Sequence, residues 1–145
     1  MACLAHLGGV QKRLSDIRAA RGELVVVTQA KPAVLDAWLR KHPRPFPVVA
    51  DPDRAAYRAF GLERGRWAMF LRPGTMLHYI GLMAHGWVAR PPLNGEDVLQ
   101  LGGDFVLDRA HRLVFAHRSA DPADRPAPEL LVEPVRALAG AGQPT

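Results

Sequence analysis

Leu24-Val25-Val26-Val27-Thr28-Gln29-Ala30-Lys31-Pro32 sets a β-branched run a few residues ahead of a proline, and that order, strand then helix, decides the fold. The continuous apolar character of Leu24 to Thr28 suits a strand buried on both faces. Pro32 fits the first position of a helix whose apolar stripe is Val34, Leu35, Trp38 and Leu39 and whose stop is His42-Pro43. Phe46-Pro47-Val48-Val49-Ala50-Asp51 reads as a second short buried strand. Asp51-Pro52-Asp53 then starts a helix that runs to Ala55, Tyr57, Ala59 and Phe60.

Upstream, Leu7, Val10, Leu14 and Ile17 recur at spacings of three and four with Gln11, Lys12, Arg13 and Arg18 between them, which predicts one amphipathic helix from Leu4 to Arg21, ended by Gly22. The order helix, strand, helix, strand, helix points to an α/β fold with a mostly parallel sheet covered by helices. Downstream, Trp67 to Leu71 reads as a strand, Thr75 to Met83 as a short apolar helix and Pro91 to Gly95 as a loop. Gly103 to Asp108 and Leu113 to Arg118 form an antiparallel hairpin about a tight turn, and Glu129 to Leu138 makes a final helix. The expectation is a single domain over residues 1–139, with 140–145 as a frayed tail.

With 48% hydrophobic and 23% charged residues in 145, a real core can form. The formal net charge of +5 comes from sixteen arginines and three lysines spread along the chain, so it gives a general attraction to anions and no dedicated nucleic-acid face. No apolar run reaches the roughly 20 residues of a membrane span and no signal peptide is read at the N-terminus, so the setting is expected to be cytoplasmic. One cysteine excludes an internal disulfide and a structural zinc site. His78 and His85 lack further ligands, and there is no glycine-rich phosphate loop or G-x-S-x-G elbow, so neither a cofactor nor a metal is expected.

Three segments carry a family resemblance. Cys3-Leu4-Ala5-His6-Leu7 runs into the first helix and the Val-rich strand. Phe46 to Arg54 is followed by Tyr57 and Phe60-Gly61-Leu62, and Leu101-Gly102-Gly103-Asp104-Phe105-Val106-Leu107-Asp108 is followed by Ala116-His117-Arg118. In this order, over residues 2 to 138, they resemble peroxiredoxin-like proteins of the AhpC/TSA (alkyl hydroperoxide reductase and thiol-specific antioxidant) superfamily, whose start reads C-x-x-C-R-x-H-L. The resemblance implies a thioredoxin-like fold of the peroxiredoxin type, a central mixed sheet flanked by helices. Matched to the second cysteine of C-x-x-C, Cys3 leaves the first one position before Met1, and the central first strand would also precede Met1. The natural protein is therefore expected to begin further upstream. The P-x-x-x-T/S-x-x-C motif of true peroxiredoxins has no room before Cys3.

By the resemblance, the chain is a thiol-dependent oxidoreductase or peroxidase-like antioxidant protein, with a peroxide as candidate substrate and an external thiol, small or of the thioredoxin type, as reductant. Cys3 is the reacting or resolving thiol, since a cysteine at a helix N-terminus gains stabilisation of its anion from unpaired backbone N–H groups. His6, one helical turn on, can favour the thiolate if protonated. Gly102 and Gly103 stand where thioredoxins carry a cis-proline and permit close backbone approach. Arg118 is a candidate partner for an anion. The alternative is a redox-inactive module that binds a protein partner or apolar ligand through residues 64–90, where Trp67, Leu77, Ile80 and Trp87 accompany Arg64, Arg66, Arg72 and Arg90. The plainer reading of that stretch is a helix packed on the sheet.

Overall fold

The structure is a computed structural model that describes residues 2–65, 73, 77, 80, 81, 84, 97, 99–121 and 124–141, and for residues 2–5 gives the backbone course. Its helices and short strands make an α/β chain in two compact units, one formed by Val25–Gly102 and the other by Met1–Leu24 with Gly103–Thr145.

In the Val25–Gly102 unit, β1 (Val26–Thr28) and β2 (Val48–Ala50) pair in parallel, with Val26 opposite Val48 and Thr28 opposite Ala50. Helix α3 (Pro32–Lys41) makes the crossover, with Pro32 in its first turn as the sequence predicts. Leu35 and Phe46 are buried, while Arg44 lies 5.0 Å over the Trp38 ring. The strands are not buried on both faces: Val25, Val27 and Val49 are exposed, and Val26 and Val48 are half-buried. Continuous β-branching marks a strand without saying how many of its faces are covered.

Asp51 performs the helix start expected of it. Its two carboxylate oxygens accept from the N–H groups of Ala55 and Ala56, each at 2.9 Å, and open α4 (Ala55–Ala59). Arg54, at φ 56°, takes the left-handed conformation that lets the chain turn into this helix. At the far end of the unit, Arg64 and Gln100 form an antiparallel bridge.

In the other unit the predicted single helix is two: α1 (Ala2–Lys12) and α2 (Leu14–Ala19), separated at Arg13. There the Arg13 N–H bonds Val10 O at 2.9 Å, a three-residue closure, while its guanidinium reaches Glu129 and Asp16. The hydrophobic stripe runs through this break without marking it, and the Arg13 side chain finds a partner 116 residues away.

Gly22 ends α2, but it is Arg21, at φ 58°, that takes the left-handed position. Gly22 N–H bonds Ile17 O and Arg21 N–H bonds Arg18 O, both at 2.9 Å, the two closures of a Schellman cap. Gly22 is required for space: a Cβ there would stand 2.7 Å from Val135 Cγ1 and 3.2 Å from Ile17 O.

The predicted hairpin is present. β3 (Gly103–Leu107) pairs antiparallel with β4 (Leu113–Arg118), with a bulge between Val106 and Leu107. Asp108 builds the turn by accepting from the Ala110 and Arg112 N–H groups at 2.8 and 2.9 Å. The final helix, α5 (Pro128–Ala141), buries Leu131 and Val132 against Val10 and Ile17, with Leu24, Phe115 and Val135 closing the core. Each such fully buried aliphatic side chain contributes about 1.5–3 kcal/mol. Among the described residues the strands form these two separate two-stranded sheets.

Candidate functional site

Helix α1 places Cys3 in its first turn and His6 one turn later, so the two positions are neighbours on the helix surface. The His6 imidazole is turned inward against β3, where its Nε2 lies 2.8 Å from Asp104 Oδ1. Asp104 also accepts from Arg125 Nη1 at 3.3 Å through its other oxygen, Oδ2. His6, Asp104 and Arg125 keep only 11%, 14% and 13% of their side-chain surface in solvent.

Burial works against the charge on Asp104, yet the hydrogen bond and charge of His6 and the charge and hydrogen bond of Arg125 outweigh it and hold the carboxyl below its ordinary range. It is therefore ionised at neutral pH and can only accept, which makes His6 Nε2–H the donor. Asp104 was legible as part of the Gly103-Asp104-Phe105 segment; its role was not, because the pairing spans 98 residues.

Gly103 and Arg118 face one another across the hairpin, as do Asp104 and His117. The Arg118 guanidinium stands 5.4 Å over the Phe105 ring. Gly102 immediately precedes β3. The structure thus gathers His6, Gly103 and Arg118 on one hairpin and the helix against it. Of Cys3 it gives the helical backbone position.

A second polar cluster, which the sequence did not announce, lies in the Val25–Gly102 unit. Asp97 accepts from Arg64 Nε at 2.7 Å, Arg54 Nη1 at 2.8 Å and the Leu99 N–H at 3.1 Å. The Arg64 hydrogen bond, foremost, keeps its carboxyl below the ordinary range against the effect of burial. This cluster ties the chain together and leaves no reactive group uncommitted among its members.

Of residues 64–90, Leu77 and Ile80 are helical, as predicted, but 69% and 55% exposed, so these two side chains do not pack on a sheet. Trp67, His78, His85, Trp87, Arg66, Arg72 and Arg90, with the predicted strand Trp67 to Leu71 and loop Pro91 to Gly95, lie outside the described residues. Among the described residues no helix is long and apolar enough to cross a membrane.

The described fold is an α/β one, with a Val-rich parallel pair and a closing antiparallel hairpin. The sequence pattern of the AhpC/TSA antioxidant enzyme family matches residues 10–121, most of the chain, and the chain belongs to that family. The matched stretch contains Gly102, Gly103, Asp104 and Arg118, and begins after Cys3 and His6. No curated protein matches the chain significantly.

Proposed function

We propose that this chain is a thiol-dependent oxidoreductase or peroxidase-like antioxidant protein in which Cys3 is the reacting or resolving thiol. The observation that carries the reading is the family match over residues 10–121. The thioredoxin-like arrangement of one central sheet is part of the same reading, as are a cytoplasmic setting and an external thiol reductant. Thiol chemistry needs a thiolate, and Cys3, the sole cysteine of the sequence, sits in the first turn of α1, where backbone N–H groups favour an anion.

With a peroxide ROOH, the Cys3 thiolate attacks the nearer oxygen. The O–O bond breaks, ROH leaves after taking up a proton, and sulfur is oxidised to sulfenic acid. A reducing thiol then displaces water to give a mixed disulfide, and a second thiol releases Cys3 with formation of the reductant's own disulfide. Mass spectrometry of the peroxide-treated chain tests this: the reading expects one added oxygen on Cys3, reversed by thiol and absent in Cys3→Ser. Oxidation of Cys3 no faster than that of a free thiol contradicts it.

The exposure of Leu77 and Ile80 favours a second reading, a redox-inactive module that binds a protein partner or apolar ligand through residues 64–90. Serine at Leu77 and Ile80, or alanine at Trp67 and Trp87, removes its support if solubility and partner recovery are unchanged.

A further inference from the structure

The Asp104 carboxylate is divided between two cations from distant parts of the chain: Oδ1 to His6 Nε2 at 2.8 Å and Oδ2 to Arg125 Nη1 at 3.3 Å. Arg125 is always charged, so the carboxylate keeps a counter-ion whatever the state of the imidazole. An ionised carboxylate accepts only, so His6 holds a proton on Nε2 in both its neutral and charged forms. Nδ1 is then the ring nitrogen that carries a lone pair in the neutral imidazole. It belongs to a residue one turn from Cys3 on the same helix.

We propose that Asp104, anchored by Arg125, is a positioning residue that fixes His6 as the Nε2–H tautomer and leaves His6 Nδ1 as proton acceptor for the Cys3 thiol. This rests on the reading of Cys3 as a reactive thiol. In the step, the S–H bond breaks, the proton moves to Nδ1 and the electron pair stays on sulfur, giving a thiolate beside an imidazolium. Nothing is oxidised or reduced. Among the described residues the charged partner of the imidazole is Asp104 from β3, whose other oxygen is held by Arg125 from the segment entering α5. Glu129 of α5 is engaged by Arg13, and Asp124 faces His117 at 3.2 Å.

Because the chain has one cysteine, alkylation by iodoacetamide reads Cys3 alone, and its rate against pH is the test. Asp104→Asn and His6→Gln are each expected to slow alkylation at pH 7 about three- to tenfold, and the double variant to be no slower than His6→Gln, since the two act through one group. Nitrogen-15 NMR of the unmodified chain is expected to show His6 as the Nε2–H tautomer, a readout independent of how the variants fold. A wild-type alkylation profile in Asp104→Asn, with His6→Gln slowed, overturns the proposal and leaves the proposed function standing. So does an Nδ1–H tautomer in the unmodified chain. If Cys3 of the unmodified chain alkylates like a free thiol, the proposed function fails and this inference with it.

Discussion

Gln29 and Asp97 exchange two hydrogen bonds across 68 residues of sequence: the Gln29 amide donates to the Asp97 carbonyl at 3.0 Å, and the Asp97 N–H donates to Gln29 Oε1 at 3.1 Å. A side-chain amide so placed continues β1 as a strand's backbone would. The Asp97 carboxylate meanwhile holds Arg54 and Arg64. Asp97→Ala is expected to destabilise the Val25–Gly102 unit by about 2 kcal/mol and Gln29→Ala by about 1 kcal/mol. Trp38, Trp67 and Trp87 all fall in this unit, so tryptophan fluorescence during denaturant unfolding measures it directly. An unchanged midpoint in Asp97→Ala refutes the role.

Acid should loosen both units. Asp97 and Asp104 are held below the ordinary carboxylate range in the folded chain, Asp97 foremost by the Arg64 hydrogen bond, and Asp104 by His6 and Arg125 acting against its burial. The unfolded chain, with carboxyls near ~3.9, binds more protons, so their contribution is complete above about pH 5 and is lost as pH falls through ~4 towards the folded values. Denaturation followed from pH 7 to pH 3 should show this decline, and Asp97→Asn should flatten it in the fluorescence signal.

At the end of α2 the two neighbouring residues should respond in opposite directions. Gly22→Ala forces a methyl against Val135 and the Ile17 carbonyl and is expected to cost about 1–3 kcal/mol. Arg21→Gly relieves a left-handed non-glycine residue and is expected to gain up to about 1 kcal/mol. Thermal unfolding by circular dichroism compares them.

Ser119 is buried, and among the described residues its Oγ has no hydrogen-bond partner. A hydroxyl left dry and unpaired costs about 1–3 kcal/mol, so Ser119→Ala should be neutral or raise stability by about 1 kcal/mol. A clear loss of stability would show that the hydroxyl is engaged.

The local elements were legible because their signals are local. Pro32 at a helix start, Asp51 as a cap and the alternation about Asp108 are each set by a few neighbouring residues. The break at Arg13 and the exposed faces of β1 and β2 were not, since the apolar pattern runs unchanged through them, nor was the Asp97 cluster, whose partners are 33 and 43 residues away. Of the candidate site, Cys3 and His6 came from their spacing and the family resemblance. Asp104 and Arg125, which complete the surroundings of His6, emerge only when β3 and the entry to α5 are brought against α1.

The pH dependence of Cys3 alkylation in the unmodified chain, taken with its rate of oxidation by peroxide, tests whether Cys3 is a reactive thiol. A reactive Cys3 is expected to titrate below the ordinary ~8.5 and to be oxidised faster than a free thiol, with both signals lost in Cys3→Ser. A midpoint at ~8.5 together with a free thiol's rate would contradict it.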